Sequence, residues 1–255
     1  MTQHLLASRA EDEVLWLRRR GFLRAAAGWA ALGGAATVQA QQRGNIVELR
    51  GDALLNGARL LGDQVVQTGD MVETGPGAHL VFVIGNASFL VRQNSRLAVE
   101  RGSSLNAVSL LRLVTGAVAS VWGRGMRHTI AMPTLTAGIR GTGVYAEVFA
   151  DQDNRSYFCN CYGTVDMVAG IERVESVAEY HQAFWGEPTP RGGMWLTPAR
   201  AINHTDEEIE ALAALLDQRT AWQILGRKGV KDGYGYMDEH PGRAHPAAMR
   251  HEPGR

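Results

Sequence analysis

His79-Leu80-Val81-Phe82-Val83-Ile84, closing on Gly85-Asn86 and followed by Ser88-Phe89-Leu90-Val91, decides the fold class. Two short apolar runs separated by a turn signal read as a strand, a tight turn and a second strand. The same texture extends in both directions. On the N-terminal side, Asn45-Ile46-Val47-Glu48-Leu49 alternates and meets Gly51-Asp52. Leu54-Leu55-Asn56-Gly57 is a strand that ends in a dipeptide suited to the positive φ angles of a hairpin turn. Gln64-Val65-Val66-Gln67 runs into Thr68-Gly69-Asp70, and Met71-Val72-Glu73 into Thr74-Gly75-Pro76-Gly77; both read as short strands. On the C-terminal side, Leu97-Ala98-Val99-Glu100 follows at similar spacing. The long apolar run Val108–Val118 is split by Thr115-Gly116, which favours two strand-like halves over one helix. Turn signals recurring about every eight to twelve residues, with no helical period, predict an all-β body.

The texture changes after about Ile171. Thr205-Asp206-Glu207-Glu208 has the form of a capping box, with Thr three residues before Glu. Ile209, Leu212, Ala213 and Leu216 then share one helical face, which predicts a helix over 206–219 docked on the β body. From Gly226 onward Gly, Pro, His and charged residues dominate without an apolar period, and residues 226–255 are expected to be a disordered tail.

The chain has 255 residues with 26 basic and 26 acidic side chains. Such a balance, with the charge dispersed, leaves no electrostatic footprint for nucleic acid or an anionic membrane surface. Thirty glycines and few aromatic residues suit a turn-rich β protein. No nucleophile elbow, phosphate loop or paired-carboxylate pattern is present, and the sequence reads as non-catalytic. The polar stretch Asp151-Gln152-Asp153-Asn154-Arg155 reads as a hairpin connection.

The first 40 residues stand apart. Arg19-Arg20-Gly21-Phe22-Leu23-Arg24, a mildly apolar segment and the small-residue exit Val38-Gln39-Ala40 resemble a twin-arginine export signal, carried by Arg19, Arg20, Phe22 and Leu23. The apolar segment from Ala25 to Val38 falls short of the ~20 residues of a membrane span. Cleavage after Ala40 and release into the periplasm, with no stable membrane span afterwards, is the expectation.

Cys159 and Cys161 are the only cysteines. Residues two apart on a strand face the same way, with Cα atoms roughly 6.5–7 Å apart, which is poor geometry for a disulfide between them. Tyr157-Phe158-Cys159-Asn160-Cys161-Tyr162 reads as such a strand, with Tyr157, Cys159 and Cys161 on one face and Gly163 marking a turn. Two roles for the thiols stand ahead of a third, redox switching through a strained disulfide, for which nothing supplies the helix N-terminus that lowers a thiol pKa. As packing groups they are small buried hydrophobes. As ligands they would join His181 and His204 in a two-sulfur, two-nitrogen set suited to zinc or copper. The sequence gives packing precedence and assures no cofactor, because the histidines lie far along the chain and no spacing forces them together.

Several segments resemble the FecR-type periplasmic domain. They are Leu61–Gly75, Gly77–Val83, the strand over Ser88–Val91 and Leu111–Val118. The most specific is Ala131–Thr142 with its Arg140-Gly141-Thr142 step, followed by Val144-Tyr145-Ala146-Glu147-Val148. The resemblance covers residues 44–168 and implies stacked short strands, as a solenoid or a sandwich, with the C-terminal helix added from an extension over 169–225. It further implies a free-standing sensing or interaction module whose partner is another envelope protein. Arg140 is expected to clamp backbone carbonyls or a carboxylate, and Gly141 to supply an unusual φ angle or a close approach.

Overall fold

A computed structural model describes residues 44–102, 107–229 and the backbone of 250–253. The export-signal residues Arg19, Arg20, Phe22 and Leu23 lie outside the described residues. Among the described residues the fold is all-β, with two short α-helices near the C-terminal end. Fifteen strands there form one mostly antiparallel, open sheet. They are β1 (Ile46–Arg50), β2 (Ala53–Leu55), β3 (Ala58–Arg59), β4 (Met71–Thr74), β5 (His79–Ile84), β6 (Ala87–Val91), β7 (Arg96–Arg101), β8 (Val108–Trp122), β9 (His128–Ala131), β10 (Thr136–Phe149), β11 (Arg155–Ala169), β12 (Glu172–Ala178), β13 (Gln182–Arg191), β14 (Met194–Ala199) and β15 (Arg250–Pro253). Helix α1 spans Asp206–Ala214 and α2 spans Ala221–Leu225.

Three long strands, β8, β10 and β11, make the architecture, and each changes partners at a glycine. Gly116, Gly141 and Gly163 have φ of +75°, +64° and +99°. Before Gly116, β8 pairs with β7 and, in parallel, with β9; beyond it β8 pairs with β6 and β10. The early part of β10 pairs with β9 and its later part with β8. Strand β11 pairs with β13 before Gly163 and with β12 from it onward. The sheet therefore folds into two layers that share these strands. One runs β1-β5-β6-β8-β10-β11-β13-β14; the other runs β3-β2-β4-β7-β8-β9-β10-β11-β12-β15.

Period-two alternation then sorts the side chains. Phe82, Phe89, Val118, Trp122, Val144 and Phe158 of the first layer meet Leu97, Leu111, Ile130, Ile139, Val165 and Met167 of the second in one apolar core. The opposite face of the first layer presents Val81, Leu90, Ala119, Tyr145, Tyr157, Cys159 and Cys161, and α1 and α2 cover it with Ile209, Leu212, Ala213 and Trp222. At roughly 25 cal/mol per Å² of apolar surface removed from water, this second core makes the docking of the helices favourable. Polar anchors fix its register. Arg92 donates to both Glu208 carboxylate oxygens at 2.8 Å and to the Asn203 carbonyl at 2.9 Å, while the Ser88 hydroxyl donates to the Leu212 carbonyl at 2.8 Å.

Several expectations need correction. Gln64–Gln67 is not a strand: the Asn45 side chain satisfies both backbone groups of Val66, at 2.6 and 2.8 Å, in place of a ladder. Gly163 does not end the cysteine strand but bends it, and β11 continues to Ala169. The sheet does not stop at residue 168, since β12, β13 and β14 carry it to Ala199. The helix expected over 206–219 stops at Ala214; Asp217 takes φ +54° and a second capping box, Thr220 with Gln223, starts α2. The tail expected from residue 226 has an ordered beginning, with Lys228 bound to Asp206 and Glu210. At its far end β15 pairs with β12.

Candidate metal centre

Strand β11 places Cys159 and Cys161 on the helix-covered face of the first layer, because residues two apart project together. The tight connection between β12 and β13 brings in His181, held at φ +26° by a backbone hydrogen bond from its N–H to the Cys161 carbonyl at 2.9 Å. The segment that leaves β14 and starts α1 brings in His204, one residue before the Thr205 cap. Residues 20 and 43 positions beyond Cys161 thus arrive at the same point, and the four side chains that the sequence grouped only as an alternative are brought together. One ligand atom from each lies within 4.8 Å of every other, and all four residues are buried.

The contacts run sulfur, nitrogen, nitrogen, sulfur. Cys159 Sγ is 3.5 Å from His181 Nδ1, Cys161 Sγ is 3.5 Å from His204 Nε2, and the two nitrogens are 3.0 Å apart. The far side of each ring is held. His204 Nδ1 donates to the Ile202 carbonyl at 2.6 Å, and His181 Nε2 donates to Asp206 Oδ1 at 3.1 Å. A carbonyl can only accept, and an ionised carboxylate likewise, so in the neutral rings the inward nitrogens carry lone pairs. Aromatic walls set the planes: His204 stacks on Tyr145 at 4.7 Å, and His181 stacks on Trp222 at 5.3 Å. Asp206, wholly buried, also accepts from Tyr180 Oη at 3.0 Å and from Lys228 Nζ at 2.7 Å. Burial pushes the Tyr180 phenol well above its ordinary pKa, with the Asp206 charge adding to it, so it remains a donor. Burial opposes the Lys228 ammonium, but Asp206 and Glu210 outweigh it and hold its pKa above the usual value.

The Arg140-Gly141-Thr142 step lies elsewhere, at the switch point of β10. Arg140 pairs with Asp166 and, at 3.8 Å, with Glu175, tying β10 to β11 and β12. The Asp166 carboxylate raises its pKa further. Gly141 has the positive φ expected of it, and an added Cβ would meet Arg124 Cγ at 2.9 Å. The Thr142 hydroxyl donates to Asn160 Oδ1 at 3.1 Å. Arg140 also lines a surface groove of about 580 Å³ with Arg127, His128, Asp166, Arg173 and Glu175. Sequence reasoning missed Asp206, Lys228 and Trp222. Asp206 was visible only as the first residue of a capped helix, and no local pattern linked it to His181.

Comparison with protein-family models, with curated proteins and with solved structures finds no match for this chain.

Proposed function

We propose that this protein is an exported, non-catalytic β protein of the cell envelope that binds one zinc ion at Cys159, Cys161, His181 and His204. The observation that carries the reading is the convergence of four buried donor atoms, with the two inward nitrogens aimed there by hydrogen bonds on the far side of each ring. Tetrahedral bonds of about 2.3 Å to sulfur and about 2.0–2.1 Å to nitrogen would put ligand atoms roughly 3.3–3.8 Å apart. The two sulfur–nitrogen contacts of 3.5 Å fall in that range, the two nitrogens at 3.0 Å are closer, and the remaining pairs lie within 4.8 Å.

Charge balance favours zinc over monovalent copper, and a tetrahedral set of two sulfurs and two nitrogens favours it over divalent copper, which prefers a tetragonal site. A divalent ion with two thiolates and two neutral imidazoles is neutral, and beside it Asp206 is balanced by Lys228. A monovalent copper ion would leave one uncompensated negative charge in a fully buried site, which is costly. The set is complete and closed, as in structural zinc sites, which contribute directly to folding free energy.

Cys159, His181 and Asp206 also stand in the order of a nucleophilic triad. That reading is the weaker one. Complete burial keeps a substrate from Sγ, and a triad leaves Cys161 and His204 without a role, whereas four-fold coordination uses all four. The resemblance to FecR-type domains supports a setting in which the zinc-bound β body serves as an interaction module for an envelope partner.

The test is the metal content, by plasma mass spectrometry, of the full chain produced with its own N-terminal segment. About one equivalent of zinc per chain is expected, and none in the Cys159→Ser/Cys161→Ser variant. A wild-type protein free of metal overturns the reading.

A further inference from the structure

The closed site leaves open how an ion enters or leaves it, and the packing around His181 points to one segment. Helix α2 is only five residues long, Ala221–Leu225. Its single buried side chain, Trp222, is 2% exposed. The indole stacks on His181 at 5.3 Å and meets Tyr180 and Tyr162 edge-on at 5.4 and 5.5 Å. Its Nε1 donates to Glu210 Oε1 at 2.6 Å. Three residues past α2, Lys228 reaches back to Asp206, the carboxylate that holds His181. Gly226, at φ +70°, turns the chain between these two contacts. Ile224 and Leu225 meanwhile are 62% and 45% exposed, so the segment adds little apolar burial beyond Trp222.

Other elements around the site are fixed independently of any ion. Helix α1 has the buried Arg92–Glu208 pair and the Ser88–Leu212 hydrogen bond. Residues 200–203 are tied down by the Tyr157 hydroxyl, which donates to the Arg200 carbonyl and accepts from the Ile202 N–H, and by Asn203 donating to Glu147. Strand β11 lies inside the sheet between β10 on one side and β12 and β13 on the other. The stretch 219–228 is thus the wall that rests directly on a ligand, His181, and on its support Asp206, with Glu210, Glu179 and Tyr162 supplying its other contacts.

We propose that residues 219–228 form a metal-coupled gate: Trp222 and Lys228 close over the His181–Asp206 side of the site when the ion is bound, and release of the ion frees them. This rests on the zinc reading. An ordered His181 gives Trp222 a fixed face to stack on, and an Asp206 committed to His181 keeps Lys228 in place. Local opening of a segment with few buried contacts is the cheapest way to expose an interior site. Residues 219–228 would then be held in one position with zinc bound and released without it. The protein would thereby report metal occupancy at its surface.

Hydrogen exchange by mass spectrometry, on the full chain loaded with zinc and after chelator treatment, reads the gate directly. Peptides covering 219–228 are expected to exchange at least tenfold faster without zinc, with β6 and β8 changed little. Equal protection of 219–228 in a protein that binds one equivalent of zinc overturns the gate and leaves the zinc reading standing. A protein that binds no zinc overturns both. Should the stripped chain unfold, Trp222→Ala in the zinc-loaded protein gives a second measurement. Zinc transfer to a chromogenic chelator is expected to quicken at least tenfold at unchanged stoichiometry. Trp195→Ala, which removes an indole packed against the main core and Gly170, is expected to leave the rate alone. An unchanged rate in Trp222→Ala, or equal acceleration by both variants, overturns the gate.

Discussion

His181 Nδ1 faces His204 Nε2 at 3.0 Å while the other nitrogen of each ring is committed, to Asp206 and to the Ile202 carbonyl. Two neutral rings held in this way oppose lone pair to lone pair. Either a proton on one ring or a cation between them relieves the repulsion. The sulfurs of Cys159 and Cys161, each 3.5 Å from one of these nitrogens, add two more soft donors at the same point. Thiol S–H groups donating to the inward nitrogens would satisfy the same contacts; a tetrahedral metal would use all four atoms as donors.

Asp206→Asn tests the outer support of that arrangement. The carboxylate fixes the His181 tautomer and makes the imidazole a better ligand, and losing such a partner typically costs 10–100-fold in metal affinity. Chelator competition should show a weakening of that order, with one zinc per chain still reached at saturation. Unchanged affinity would mean that Asp206 does not orient His181.

The buried pair Arg92–Glu208 fixes α1 on the sheet, with side chains 1% and 0% exposed. Removing one partner strands a charge, so Arg92→Ala is expected to lose about 3–5 kcal/mol of stability by urea denaturation. The double variant Arg92→Met/Glu208→Met should be less destabilised than Arg92→Ala. A double variant as unstable as the sum of its singles would show that the two residues act separately.

Gly116 marks where β8 leaves one layer for the other. A Cβ there would come within 2.2 Å of Ser95 Oγ and 2.7 Å of the Asn94 carbonyl, on a backbone with φ +75°. Gly116→Ala should therefore cost about 2–4 kcal/mol, combining overpacking with left-handed strain. Gly57, at φ +81°, has open space around its Cβ position, and Gly57→Ala should cost only about 1 kcal/mol from strain alone. Equal effects on the thermal midpoint would remove the close-approach argument.

What was legible in the sequence follows these physical scales. Strand and turn are local, and His79–Ile84, the Asn56-Gly57 hairpin and the Thr205–Glu208 capping box appear where their residues placed them. The split of β8 at Gly116 was readable because a single glycine changes what the backbone can do. Strand β12 was missed because Glu172–Ala178 sets Arg173, Glu175 and an exposed Val177 against Val174, Ser176 and Ala178, a weak apolar alternation. The candidate metal centre was half legible. Cys159 and Cys161 share a face by strand geometry alone, but His181 and His204 reach them only through the pairing of β11 with β13 and the docking of α1. No local pattern encodes such long-range closure.

Glu187 supplies the pH dependence. Burial pushes its carboxyl upward, yet hydrogen bonds from Arg155, at 2.6 and 2.7 Å, and from Thr197, at 2.6 Å, outweigh that and bring it below the ordinary 4.5. A carboxyl with a depressed folded-state pKa binds its proton more weakly folded than unfolded, so its stabilisation is present above about pH 4.5 and is lost as the pH falls through the folded value. Wild type and Glu187→Gln should then differ most near neutrality, by about 3 kcal/mol for a mostly buried pair. The gap should narrow steadily at more acidic pH. Comparing urea midpoints of the two proteins at each pH isolates this carboxyl, because every other acid-labile group, including the four side chains of the candidate metal centre, is common to both. A gap that stays constant from neutrality to pH 3 would mean that Glu187 is not held ionised by Arg155.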